Sequence, residues 1–190
     1  MNEIEVKSAK IRSGMFLTFT FEKSDDKRTD TIKDDSDLPF HEDLKQAFYN
    51  LIPHLVLVSE LDKEVNIVNY IDNGIDLESE NEAELQFKYA IDEFKIDGSG
   101  DTEGLVLVGR KILSTGKEIK ITSPKVKFYE PEDKKQYRFL GELTERLEAL
   151  KTEVVEYLNG KHAPLPQQEM EFPEDDDEAF NQEEEQKHVA

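Results

Sequence analysis

The chain contains no cysteine. Disulfides, thiolate nucleophiles and Cys-ligated zinc or iron–sulfur centres are therefore excluded. Long apolar runs are missing too. Nothing approaches the ~20 consecutive apolar residues of a membrane-spanning helix, and the opening "MNEIEVKSAKIRSG" has no apolar stretch of the kind a secretory signal carries. The expectation is a soluble protein of the cytoplasm. Catalytic patterns are equally scarce. His41, His54, His162 and His188 show no metal-ligand spacing. "DGSGDTE" offers Asp97, Ser99, Asp101 and Glu103, but Thr102 stands where a calcium loop needs glycine and Val108 where it needs glutamate. No phosphate-binding lysine loop, Gly-x-Ser-x-Gly or dinucleotide fingerprint occurs. These absences predict a protein that is not an enzyme and uses no cofactor and no metal.

Hydrophobic residues make up 36% of the 190 and charged residues another 36%, a balance that leaves part of the chain outside any core. We read residues 1–160 as one globular domain and 161–190 as a disordered acidic tail. Within the domain, apolar residues recur at period two through Ile4 and Val6 and then through Met15, Leu17, Phe19 and Phe21, with "RSG" between them, which predicts a hairpin. The acidic stretch 24–37 has little to bury and is expected to be a mobile loop. Phe40, Leu44, Phe48, Leu51 and Leu55 then follow helical spacing, with Asp37 as a cap candidate, Pro39 in a tolerated first-turn position and Pro53 as a break.

Alternation resumes at Leu85, Phe87, Tyr89 and Ile91 and slips before Phe94, as a bulge would cause. "LVLV" at 105–108 is apolar on both faces and suits a central strand. Beyond it, Ile119, Ile121, Val126 and Phe128 alternate with Lys120, Lys125 and Lys127. A helix is expected within 132–159, where Leu140, Leu143, Leu147, Leu150 and Val154 form a three-four stripe. The predicted class is mainly β with helices: a small antiparallel barrel of the OB type with an inserted helix and a long C-terminal helix. An open α+β sheet with a helix across one face fits the same order.

The formal net charge is −20, yet the charge is unevenly spread. Residues 169–190 hold ten acids and one lysine, whereas Gly109 to Phe139 holds nine bases and four acids. Arg110, Lys111, Lys117, Lys120, Lys125 and Lys127, with Tyr129 in phase with the last two, are the candidate site. Cations along a track beside an exposed ring are what single-stranded nucleic acid requires. Tyr137 and Phe16 are further stacking candidates, while Phe19, Phe21, Phe48 and Phe87 are expected in the core. Lysines alternating with apolar residues also describe any solvated strand.

The tail reads "MEFPEDDDEAF" from Met170 to Phe180. On these residues the chain resembles bacterial and phage single-stranded DNA-binding proteins, whose tails end in an acidic segment closed by phenylalanine. The resemblance implies an OB-type domain and a non-catalytic role in DNA replication or recombination. It also implies that Phe172, Asp175, Asp176, Asp177 and Phe180 recruit partner proteins and modulate DNA binding. Ten residues follow Phe180 here, whereas the family's tips end at the aromatic. A rival expectation is an acidic interaction protein or DNA mimic that occupies a basic site on another protein. A third is homodimerisation through Leu140, Leu143, Leu147, Leu150 and Val154.

Overall fold

In the computed structural model, which describes residues 3–25, 28–75, 83–130 and 135–164, the first alternating stretch forms the expected hairpin. Strand β1 (Glu3–Arg12) pairs antiparallel with β2 (Phe16–Ser24), Val6 facing Phe21 and Ala9 facing Phe19. Ser13 and Gly14 both take positive φ in the turn. The expected loop 24–37 is largely a strand: β3 (Thr29–Asp35) pairs with β2 from Thr18 to Ser24. The misreading has a physical cause. An edge strand is held by backbone hydrogen bonds on one side and needs no apolar face, so "TDTIKDD" carries no alternation signal. Asp26 and Lys27 lie outside the described residues.

The helical insertion is two short helices, α1 (Glu42–Tyr49) and α2 (Ile52–Val58), with Pro53 in the first turn of the second, where its missing N–H costs nothing. His41, not Asp37, caps α1: its Nδ1 accepts from the Asp43 backbone N–H. Phe40, Leu44, Phe48, Leu51 and Leu55 are all buried, as the spacing predicts. A further helix, α3 (Glu64–Asn73), ends at Gly74, whose φ of 78° suits glycine.

Residues expected to begin the next strand instead form α4 (Ala83–Lys88), and β4 (Tyr89–Asp97) starts only at Tyr89. Phe87 is consequently 75% exposed and Phe21 only half-buried, contrary to the core assignment, while Phe19 and Phe48 are sealed. The bulge is found, between Ile91 and Glu93. Central strand β5 (Gly104–Ile112) follows, then β6 (Glu118–Thr122), β7 (Val126–Lys127) and α5 (Leu140–Leu158), which begins well after residue 132.

The strands form one antiparallel sheet in the order β3-β2-β1-β4-β5-β6, with β7 beside β5. Among the described residues its end strands β3 and β6 do not meet, so the sheet is open and no closed barrel is present. The order divides into two three-strand meanders, each followed by helix, that join at the β1–β4 pair. One face carries Ala9, Phe19, Phe94, Leu105 and Leu107, all at 0–1% exposure, beneath α1, α2 and α5. Gly109 sits on this face opposite Ile121. A Cβ there would lie 2.2 Å from Ala90 O of β4 and 2.6 Å from Leu55 Cδ2 of α2, so a side chain at 109 would clash first with the neighbouring strand's backbone.

The chain end is tied down. Tyr157 Oη lies 2.6 Å from both Ser36 Oγ and Leu38 O, and Lys161 reaches Asp43, Glu153 and Glu156 at 2.7–2.8 Å. His162 bridges Phe40, and Ala163 N–H donates to Pro39 O. The tail expected from residue 161 therefore has its first three residues held to the fold. Residues 165–190 lie outside the described residues, as do Pro131 to Lys134.

His54 is the one buried histidine among the described residues. It is fully enclosed, its Nδ1 is 3.1 Å from Tyr137 Oη, and its Nε2 has no partner. Burial, with a smaller push from Arg146, lowers its pKa from 6.5 to about 4. Protonation thus favours the unfolded chain. The contribution is complete above about pH 6.5 and is lost as pH falls toward about 4. Urea unfolding at about pH 7 and about pH 5 should show roughly 2 kcal/mol of lost stability from this group, a loss absent in His54→Leu. Equal pH dependence in both proteins would contradict the assignment.

Candidate functional site

Among the described residues no helix covers the face of the sheet opposite α1, α2 and α5. Register fixes what stands on it. Lys33, Thr20, Ser8 and Lys95 face one another across β3, β2, β1 and β4. Asp35, Thr18, Lys10, Glu93, Val108 and Thr122 form the next row, from β3 to β6. Arg110 pairs in register with Lys120. Bases and acids on this face occur in near-equal numbers, in a chain of net charge −20.

The seven residues singled out from sequence do not form one track. Arg110 and Lys120 stand together on β5 and β6, but Lys127 is opposite Gly104, six residues along β5 and roughly 20 Å away. Lys111 projects to the other face, with its Nζ 5.8 Å from the centre of the Tyr89 ring. Lys117 closes the β5–β6 turn, its carbonyl accepting from the Leu113 N–H.

Carboxylates occupy several of the cations. Arg110 Nη1 donates to both oxygens of Glu118 at 2.9 and 3.0 Å. Its Nε lies 3.0 Å from Asp92 Oδ1 without a well-aimed hydrogen bond, so that contact is chiefly charge attraction. Burial raises the Asp92 carboxyl above its ordinary range, partly offset by Arg110. Lys125 donates to Asp97 at 3.0 Å, which holds that carboxyl low. Lys127 lies 3.5 Å from Glu130. Exposed pairs of this kind contribute about 0–1 kcal/mol each, so an incoming anion can exchange with them. The carboxylates nevertheless remain in place.

Lys10, Lys33 and Lys120 form no ion pair among the described residues. Lys10, Arg110 and Lys120, with Asp92, Glu93 and Glu118, border a shallow depression of about 310 Å³. Lys33 is the one base of β3 and Lys10 is one of three on β1, so nothing in the sequence sets them apart, and only strand pairing puts them on the same face as Lys120, Lys33 at the opposite edge of the sheet. Of the aromatic candidates, Tyr129 is 57% exposed and Phe16 is half-buried beside Arg12, but Tyr137 is occupied by His54. Among the described residues no group of three or more His, Cys, Asp or Glu could hold a metal ion.

Phe172, Asp175, Asp176, Asp177 and Phe180 lie outside the described residues. The helical stripe is not an exposed seam: Leu143, Leu147, Leu150 and Val154 are 0–1% exposed and Leu140 is half-buried, packed into the chain's own core. No helix among the described residues is long and apolar enough to cross a membrane. The chain matches no protein-family model, no curated protein and no solved structure.

Because the stripe is internal, Leu147→Glu should abolish the cooperative unfolding transition rather than dissociate an oligomer. A carboxylate sealed among leucines costs more than about 4 kcal/mol. Circular dichroism melting with sedimentation analysis checks this. A folded Leu147→Glu protein of reduced mass would show the stripe to be an interface.

Proposed function

We propose that this is a non-catalytic protein that binds single-stranded DNA on the open face of its sheet. The observation that carries the reading is local: the acid excess of the chain vanishes on the one broad face that no described helix covers, and three lysines there, Lys10, Lys33 and Lys120, form no ion pair among the described residues. Ser8, Thr20 and Thr122 stand among them as hydroxyl donors to phosphate oxygens, and Tyr129 at the margin offers a ring for a base. An OB-type barrel is not required, since an open sheet face supplies the same platform. In this reading the acidic tail competes with DNA for the lysines. Its Phe172, Asp175, Asp176, Asp177 and Phe180 recruit replication or recombination proteins.

Titration of an oligothymidylate by fluorescence anisotropy at two ionic strengths tests it. The parent should bind, more weakly at the higher salt. The combined changes Lys10→Glu, Lys33→Glu and Lys120→Glu should weaken binding about tenfold or more. Lys45→Glu with Lys151→Glu, on the helical side, should leave it unchanged, and removal of residues 166–190 should strengthen it. Absence of binding by the parent at the lower salt sinks the reading.

A second reading is favoured by the ion pairs of Arg110, Lys125 and Lys127, which spend those cations internally, and by the outward stripe Glu145, Glu148 and Glu156 on α5. On that view the protein is acidic on most of its surface and docks on a basic site of another protein. Retention on an anion exchanger with none on heparin, after removal of the tail, distinguishes it from the first.

A further inference from the structure

The two edges of the sheet differ in chemistry. On β3 the side facing the helices carries Asp30 and Asp34 about Ile32, and the other side carries Thr31, Lys33 and Asp35. Inward-facing acids block the addition of another strand there. On β6 the corresponding side carries Ile119, 50% exposed, and Ile121, half-buried. The helical layer stops short of this edge. Chain reversal after α2, through Glu60 at φ 52°, leaves a groove of about 460 Å³ between Val58–Leu61 and the stretch from Lys120 to Pro124. An apolar side chain from a strand added beside β6 would enter it.

The opposite side of β6 adds a charge requirement. Lys120 stands in register with Arg110, a like charge that Asp92 and Glu118 already satisfy, and Lys120 itself forms no ion pair among the described residues. A strand added at β6 therefore gains most by placing an acid against Lys120 and apolar residues on either side of it, against Ile119 and Ile121. Beyond Pro164 the chain contains one apolar–acid–apolar triplet, Met170-Glu171-Phe172, followed at once by a strand-ending proline. Its reach is adequate. Ala163 is held at Pro39, whose neighbour Phe40 donates its N–H to Met15 O at the start of β2. From β2 to the position beside β6 is five strand spacings, about 24 Å. The eight steps of chain from Ala163 to Glu171 extend up to about 27 Å.

We propose that the free edge of β6 and its groove are a strand-docking site, and that Met170–Glu171–Phe172 of the same chain is the occupant. Glu171 pairs with Lys120, and Met170 and Phe172 cover Ile119 and Ile121. The docked strand takes up one of the lysines of the open face, so occupancy of the edge and access to that lysine are coupled.

Hydrogen–deuterium exchange of the full chain, without nucleic acid, tests the site independently of any DNA binding. Residues 118–122 should exchange about tenfold faster in Glu171→Lys and in Phe172→Ser, which alter no residue of the described fold. Lys120→Glu should do the same, and Lys120→Glu combined with Glu171→Lys should restore the parent rate. Exchange at β3 should not change in any of them. Equal exchange of residues 118–122 in the parent and the two tail variants overturns the proposal. Protection that rises with protein concentration overturns the intramolecular assignment, because the strand then comes from a second copy.

Discussion

One layer of helix can seal only one side of a sheet, and every property of this molecule follows from which side is sealed. Phe19, Phe94 and Leu107 lie beneath α1, α2 and α5 with no measurable contact with water, and burying them is the main favourable contribution to folding. The register that puts them inward puts Lys10, Thr18 and Lys33 outward. A shift of one residue would exchange the two sets, so the apolar core also dictates the composition of the open face. Gly109 shows how tight the arrangement is, since the backbone of β4 and Leu55 of α2 both occupy the space that a side chain would need.

Net charge is a poor guide to what such a surface attracts. Most of the acid excess lies in the residues beyond the fold and on the helical side, while the open face is close to neutral. On it, pairs such as Arg110 with Glu118 hold side chains in place without adding much stability, and the few lysines with no ion pair among the described residues become the distinctive chemistry. The same logic separates the two sheet edges: acids on both faces of β3 refuse another strand, and isoleucines with a lone lysine on β6 accept one.

Legibility in the sequence followed the range of the interactions involved. The hairpin of β1 and β2, the break at Pro53, the bulge before Phe94 and the stripe of α5 were all readable, because each is dictated by periodicity or by a local backbone restriction. Strand β3 was not readable, since its pairing is made by backbone groups that every residue has. Helix α4 was misread as strand because Leu85, Phe87 and Tyr89 happen to alternate, and a six-residue helix at a strand entrance offers too few turns to show its own period. The two-meander topology has no counterpart in any internal sequence repeat.

The candidate site divides along the same line. The amino-acid sequence by itself determined that the chain has no thiol chemistry, that its acids concentrate after residue 168, that bases gather around β5 and β6, and that a long amphipathic helix closes the domain. Only the tertiary structure decided that Lys111 faces away from Arg110, that Lys10 and Lys33 share the open face with Lys120, that His54 is sealed against Tyr137, and that β6 ends the sheet beside an open groove. The reason is physical: composition and periodicity act along the chain, whereas the partner of a charge and the cover on an apolar face are set by strand register and helix placement, which join residues far apart in sequence.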